Sequence, residues 1–340
     1  MVTIADVAKA AGVSKGTVSS VFSKKRPISK EVTQRVLKAA EELNYRPNYW
    51  ARSLVNRKTN IIGLNMRSEK MPLDAFQHDL LDGMMEVCYE HGYRILINIL
   101  QPSLLKQVEL IASDPVDGEI LLDPIHDDPR IEDRLKRHVP VVVVGRPSGE
   151  RAGQVCSVDN DNIAAAAKAV RLLLSQGHRR ILFLNSAKDR TVAEDRELGY
   201  YLAHRESGVD PLAGLILNKP DDDGTSICFG YETTLQMLRE HAGISAVLAD
   251  NESMAMGIYQ AAEELGLVIP GDLSVIAFSG GEHLPPAMHP PLTGMRLDAR
   301  TIGMEAARLL IEQVTAGAAG VKRILLPSEL VERGSCAYTH

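Results

Sequence analysis

The stretch T-I-A-D-V-A-K-A-A-G-V-S-K-G-T-V-S, residues Thr3–Ser19, decides the architecture of the amino terminus. Thr3 can cap a helix, and Asp6 three residues later makes a capping-box-like start. Ile4, Val7, Ala8 and Ala11 then line one face at helical spacing, and Gly12 supplies a left-handed stop. Val13 enters a tight turn, and Ser14 caps a second helix over Lys15–Phe22. A basic loop follows, Lys24-Lys25-Arg26-Pro27. Ser29 caps a third helix whose expected apolar stripe is Val32, Val36, Leu37, Ala40 and Leu43. Three helices this short cannot each bury a face alone, so residues 1–46 are predicted to share one small core as an all-α helix-turn-helix domain.

Working outward, Arg46-Pro47-Asn48 breaks the pattern, because proline disfavours helix in the residue before it. Asn48 can cap a short segment Tyr49–Val55, and Asn56–Asn60 is polar, so residues 47–59 read as a hinge and linker. From Ile61 the pattern becomes apolar strands alternating with longer helices. Candidate strands are Ile61–Asn65, Arg94–Ile99, Gly118–Leu122, Val141–Val144, Ile181–Leu184, Ala246–Ala249 and Ser274–Phe278. Candidate helices include Leu80–His91, Asn162–Gln176 and Glu252–Leu265. This alternation predicts an α/β core over residues 60–340 with a parallel, doubly wound sheet. Seven or more strands predict two such lobes.

The net charge of −6 is unevenly spread. Residues 1–60 hold 12 Lys and Arg against 4 Asp and Glu, while the remainder carries 26 against 40. A basic head on an acidic body is the electrostatic layout of a DNA reader joined to a second module. No run of about eighteen apolar residues is present to span a bilayer. The first twenty residues carry Asp6, Lys9 and Lys15 in place of a secretory core, so the expected location is the cytoplasm. Cys88, Cys156, Cys228 and Cys336 lie far apart and form no metal or redox motif.

The quoted head closely resembles the signature of the lactose/galactose-repressor (LacI/GalR) family. The resemblance continues through L-N-Y-R-P-N (43–48), A-R-S-L (51–54), I-I-G-L (61–64), S-V-D-N (157–160) and G-H-R-R-I-L-F-L (177–184). It runs on through R-E-L-G-Y (196–200), N-E-S-M-A-M-G (251–257), P-P-L-T (290–293) and L-P-S-E-L-V-E-R (326–333). It implies a transcription regulator, with a core like a periplasmic sugar-binding protein. There the chain crosses three times between two lobes and a small molecule binds in the cleft. The expected crossings lie near Val158, Met288 and Gly317, giving lobe one about 60–158 and 288–317 and lobe two about 159–287 and 318–340.

In a helix-turn-helix the first turn of the second helix meets base edges in the major groove. Lys15, Gly16 and Ser20 occupy the outward positions. Lys15 can donate to guanine or simply to phosphate. Gly16 either permits close backbone approach or reads nothing, and Ser20 stands where the family most often has arginine. Thr3, Ser14, Thr17 and Ser19 complete the expected DNA-facing set, with Thr17 and Ser19 suited to phosphate or helix contact. The resemblance further implies that 49–55 becomes helical on operator DNA. Two copies would lie in the minor groove, where Leu54 wedges between base pairs and Ala51 lets the helices approach. Asn48 and Arg52 are expected phosphate contacts.

For the cleft, Arg196 matches the family arginine that chelates sugar hydroxyls, and Asn251 matches a hydroxyl-binding asparagine. Phe76 and Gln77 match positions after the first strand, and Asp123 and Arg146 follow strand ends, where open sheets place ligands. Those four are read equally as cleft-lining or as loop and lobe-closure residues. Where the family usually has aspartate after an aromatic, this chain reads A-F-S-G-G with Ser279. Loss of that carboxylate, with Lys188 and Arg190 near Arg196, predicts an effector that is either acidic or larger than a monosaccharide.

Rival readings fit less well. A-F-S-G-G lacks the leading glycine of a nucleophile elbow, and no G-x-G-x-x-G or G-K-[ST] loop is present. Glu282, His283 and His289 surround two prolines without ligand spacing. No enzyme, cofactor or metal is therefore expected. A transport-type binding protein would have no use for residues 1–58. Two heads on a pseudo-palindromic operator require a homodimer, and the S-C-A-Y-T-H end carries no tetramerising leucine heptad.

Overall fold

A computed structural model describes residues 2–23, 26–46, 58–67, 73–100, 116–220, 224–279, 288–317 and 320–339. The chain divides into two units, Met1–Thr59 and Asn60–His340.

The first unit holds α1 (Ile4–Ala10), α2 (Lys15–Ser23) and α3 (Lys30–Glu42). The Thr3 N–H and hydroxyl both donate to the Asp6 carboxylate at 2.8 Å, closing the expected box. Ser14 Oγ accepts the Thr17 N–H at 3.1 Å, and Ser29 Oγ accepts that of Val32 at 3.4 Å. Gly12 turns the chain at φ +65°. Val7, Ala8, Ala11, Val18, Val36, Ala39 and Ala40 form the shared core. Leu37, expected in the stripe, is 48% exposed. From Val36 the inward positions are i+3 and i+4, Ala39 and Ala40, whereas i+1 points about 100° away.

The second unit runs in order β1 (Ile61–Arg67), α4 (Ala75–Glu90), β2 (Arg94–Leu100), β3 (Gly118–Leu122), α5 (Pro129–Lys136), β4 (Val141–Val144) and β5 (Cys156–Asn160). It continues through α6 (Asn162–Ser175), β6 (Ile181–Asn185), α7 (Thr191–Glu206), β7 (Ile216–Asn218), α8 (Ser226–Glu240), β8 (Ala246–Ala249) and α9 (Glu252–Glu264). β9 (Ser274–Ser279), β10 (Thr293–Arg296), α10 (Ala299–Ala316), β11 (Arg323–Leu326) and β12 (Glu329–Val331) complete it.

Two six-stranded sheets result, ordered β11-β5-β4-β3-β1-β2 and β12-β10-β9-β8-β6-β7. Every pairing is parallel except β10 with β12 at one edge. β3, β4, β6, β8 and β9 are buried along their whole length, as strands covered by helices on both faces must be. Apolar residues accordingly pack on both sides of each sheet.

The pairings also correct the crossings. The first lies between β5 and α6, at Asp161, a little beyond Val158. β10 pairs with β9 of the second sheet, so the second crossing falls between Arg296 and Ala299 and not near Met288. β11 pairs with β5 of the first sheet, which moves the third from Gly317 to the step between Leu326 and Glu329. Strand partnership decides lobe membership here, and neither short strand advertises its partner.

Two helix pairs pack through glycine. A Cβ on Gly83 would collide with the Arg300 carbonyl, and one on Gly303 with that of Leu80, so α4 and α10 touch backbone to backbone. Gly230 and Gly257 serve α8 and α9 in the same way. At the first crossing, Asp159 Oδ1 accepts the Asn160 N–H at 2.8 Å and Asn162 Nδ2 at 3.0 Å. Burial pushes its carboxyl up to about 7 against the pull of the Asn160 N–H, with the Asp195 charge adding to the rise. Among the described residues no helix is long and apolar enough to cross a membrane.

Gly83→Ala or Gly303→Ala should cost about 1–3 kcal/mol by overpacking and lower the melting temperature by about 2–10 °C. Gly153→Ala, where an added Cβ meets nothing within 4 Å, should leave it unchanged; equal melting of all three by calorimetry would refute the close contact. A second expectation concerns pH. The Asp159 pKa is higher folded (about 7) than the roughly 3.9 of an unfolded aspartate, so the folded state holds the extra proton. Its contribution to stability is complete below about pH 4 and is lost as pH rises through 7. Asp159→Asn should therefore melt increasingly above the parent from pH 5 to pH 8. A difference independent of pH would show that the carboxyl titrates normally.

Candidate functional site

In the head, Lys15, Gly16 and Ser19 are exposed at the start of α2, while Thr17 and Ser20 are half-buried. The Thr17 hydroxyl lies 3.0 Å from Ser14 Oγ, so these two expected contacts are tied to each other. Thr3 is exposed but spends its hydroxyl on Asp6. A Cβ on Gly16 would meet only Ser14 Oγ, at 3.6 Å, so packing does not demand glycine there. What remains is an exposed first turn with one cation and several short polar groups. Asn48, Ala51, Arg52 and Leu54 lie outside the described residues.

In the core, the carboxyl ends of the two parallel sheets meet. The loop after β3 runs against the loop after β6. Ile125 bridges Arg190, the His126 N–H donates to the Asp189 carbonyl at 2.9 Å, and the Thr191 N–H donates to that of Pro124 at 3.3 Å. Arg146, after β4, clamps the same junction. Its Nε reaches both Asp195 oxygens at 2.8 and 2.9 Å, and its Nη2 pairs with Glu194. Arg146 thus joins the lobes directly. Asp123, at φ +53°, stands 3.9 Å from Arg190 Nη1.

Arg196 occupies the centre of the second lobe's strand ends and is 5% exposed. Its Nη1 pairs with the Asp250 carboxylate and donates to the Asp250 carbonyl at 2.9 Å, while Nε donates to Asn162 Oδ1 at 3.2 Å. The guanidinium lies 3.7 Å over the Phe278 ring, a face-on arrangement that favours the cation. One side chain therefore links α7, the β8–α9 loop, the first crossing and β9. Among the described residues Nη2 has no hydrogen-bond partner. Asn251 caps α9, its Oδ1 accepting the Met254 N–H at 2.9 Å, and Nδ2 faces Asp250 at 3.3 Å. Gln77 is turned inward on its own helix, where Oε1 accepts the Asp74 N–H at 3.2 Å. Phe76 is half-buried and packs against the cores of both lobes.

Ser279 donates to the buried Glu252 carboxylate. The expected shortage of acid at this place is therefore corrected: α9 brings a carboxylate to the position where the residue after Phe278 lacks one. Burial, reinforced by Asp74 and Asp79, holds Glu252 above the usual carboxylate range. Asp74, which caps α4, is pushed up to about 6 by its surroundings, with Asp123 and Asp250 adding to the rise. The cleft thus has an acidic side that the single position 279 did not reveal. Asp250 and Glu252 flank Asn251 in sequence, and that D-N-E run was the available signal. A depression of about 430 Å³ lies to one side, bounded by His126, Lys188, Glu194, Glu197, Leu198 and Tyr201. It includes neither Arg196 nor Asn251, and the convergent polar groups mark the strand ends as the better site. Among the described residues no group of three His, Cys, Asp or Glu is placed to hold a metal ion.

Comparison with known proteins agrees with this division. Residues 3–48 match the model for bacterial regulatory proteins of the lacI family, and residues 170–336 match a periplasmic binding protein-like domain. The chain is 31% identical to the ribose operon repressor of Escherichia coli (strain K12), over 98% of this chain and 100% of that protein. The structure of a lac repressor dimer bound to operator and the anti-inducer ONPF superposes with a TM-score of 0.84 at 25% identity, covering 99% of each chain. A CelR–cellobiose complex superposes at 0.75 and 27% identity, over 98% of this chain and 100% of that one. With a matching head, a matching core and a full-length relative above 30% identity, the chain belongs to the LacI family of DNA-binding transcription regulators, controlled through a small-molecule effector.

Proposed function

We propose that this protein is a cytoplasmic, homodimeric repressor of carbohydrate-utilisation genes, and that its effector is a sugar or sugar derivative bound between the lobes. The observation that carries the reading is the Arg196 assembly, a guanidinium stacked on Phe278 with Asp250, Asn251 and Glu252 around it at the strand ends. A planar donor beside carboxylates and an amide is the chemistry that chelates adjacent hydroxyls, and Nη2 is the donor left for them. The ribose operon repressor and the cellobiose-bound CelR support the same class of ligand. The exposed Met85 and Tyr89, one turn apart on α4, offer apolar surface for a second copy.

The lever is the hinge. Residues 49–55 would order on a pseudo-palindromic operator, with Asn48 and Arg52 on phosphates, Ala51 at the helix–helix contact and Leu54 as the wedge. Lys15, Gly16, Thr17, Ser19 and Ser20 would face the major groove or its phosphates, with Thr3 and Ser14 at the helix starts. A change in lobe closure at Arg146 and Arg190 would alter the spacing of the two hinges and so the fraction that stays ordered.

Two measurements test this. The first is a thermal-shift screen against neutral sugars, sugar acids, sugar phosphates and oligosaccharides, with each variant compared to its own ligand-free melting. A ligand at about 100 times its Kd should raise the melting temperature by about 5–10 °C, and Arg196→Ala should abolish the rise. No response to any carbohydrate would end the sugar reading while leaving the DNA-binding assignment in place. The second uses an operator selected from random-sequence DNA. Leu54→Ala should weaken binding by about ten-fold or more and reduce the bend seen by circular permutation, and an unchanged bend would remove Leu54 from the groove.

A further inference from the structure

Arg67 ends β1, a strand otherwise built of I-I-G-L-N-M. It is 7% exposed, yet its Nη1 is buried with no hydrogen-bond partner among the described residues. Among the described residues its ion-pair partner is Asp189, 3.9 Å from Nη2, on the other lobe and itself substantially exposed. The neighbouring acid is already committed: Asp128 is held by Arg130, with Nη2 at 2.7 Å and Nε at 3.0 and 3.2 Å. The loop that supplies Asp189 also brings Lys188 and Arg190 to this junction.

A guanidinium has five donors in a planar fork and cannot shed its charge in a protein. Burying it with one long contact is unfavourable unless something else supplies negative charge. Burial pulls the Arg67 pKa down and the Arg130 charge adds to the fall, while Asp128 and Asp189 pull the other way. Carboxylates gather elsewhere at the strand ends, Asp74 on the loop after β1 of the same lobe and Asp250 and Glu252 on the other. Asp74 and Glu252 are held above their usual range, by burial first and then by other carboxylates. The strand ends therefore present the buried Arg67 guanidinium, with only Asp189 in ion-pair range among the described residues, and a carboxylate-rich side at Asp74, Asp250 and Glu252, where Arg196 pairs with Asp250.

We propose that Arg67 receives a phosphate or carboxylate of the effector, whose hydroxyls face the carboxylate-rich side, so that the ligand is a phosphorylated or acidic sugar. This rests on the carbohydrate reading of the cleft and narrows it. Opening of the lobes would part Asp189 from Arg67 and admit the anion, and closure would bury the new pair. A planar guanidinium binds such a group through two parallel N–H bonds, and desolvation on closure strengthens them.

The test is calorimetric titration of the full-length protein with D-ribose 5-phosphate, D-glucose 6-phosphate and D-gluconate, and with D-ribose and D-glucose as neutral parents. The wild type, Arg67→Gln and Arg67→Lys are compared. At least one anion should bind the wild type about ten-fold or more tighter than its neutral parent. Arg67→Gln should bring that ratio close to one without weakening the parent, and Arg67→Lys should keep part of it. Ligand-free Arg67→Gln should melt at or above the wild-type temperature, since an uncompensated buried charge has been removed; a loss of several degrees would make Arg67 a structural residue and overturn the proposal. A neutral parent binding as tightly as its anion, or a ratio unchanged by Arg67→Gln, overturns it too, and with Arg196-dependent sugar binding intact the carbohydrate reading survives. Binding by none of the five compounds overturns this proposal and counts against that reading as well.

Discussion

A parallel strand covered by helices on both faces has only one place to put functional side chains, the loop beyond its carboxyl end. Everything in the larger unit follows from that constraint. β3, β4, β6, β8 and β9 are buried throughout, so polar chemistry is driven to Asp123, Arg146, Ser186–Arg190, Asp250–Glu252 and Ser279. Because the chain crosses three times, these loops from two sheets are brought edge to edge, and the cleft is the seam. Helix packing through Gly83, Gly303, Gly230 and Gly257 brings helix backbones into direct contact within each lobe.

The seam is held by contacts of two kinds. Backbone pairing between 124–126 and 189–191 gives a small fixed zipper, while Arg146 with Asp195 and Glu194 gives a charged clamp. The half-exposed Arg146–Glu194 pair is worth little on its own, whereas the contact to buried Asp195 through both oxygens is the stronger part of the clamp. Asp159 sits beside them at the first crossing, its carboxyl raised by burial. The charged clamp and this raised carboxyl thus lie within a few residues of one crossing strand. Both charge signs are interleaved along the seam, with Arg130 held by Asp128, Arg190 near Asp123 and Arg196 paired with Asp250.

Much of this was legible in the residues. The three head helices and their caps follow from local rules, since Thr3, Ser14 and Ser29 each precede an amphipathic run and act within three residues. The error at Leu37 arose because a stripe written from a list of apolar residues ignores the angle between neighbours. Strand bodies such as Gly118–Leu122, Val141–Val144 and Ala246–Ala249 announce themselves because burial on both faces demands continuous apolar runs. The short edge strands do not. T-G-M-R and R-I-L-L carry no mark of the sheet they join, and the second and third crossings were misplaced by roughly ten residues for that reason.

The sequence by itself determined the element types, the helix starts, the division between a basic head and an acidic α/β core, and the identity of Arg196 and Asn251 as residues to watch. All of these depend on interactions over a few positions or on composition. Tertiary structure decided what those residues bond to: Gln77 accepts from the cap of its own helix, Asn251 caps its helix, Arg146 joins the lobes, and Ser279 donates to a carboxylate from α9. It also singled out Arg67, a buried cation with one unbonded nitrogen among the described residues that looks ordinary at the end of I-I-G-L-N-M-R. Whether a buried charge is compensated depends on groups from distant parts of the chain, here Asp128, Arg130 and Asp189, and only folding brings them to one place.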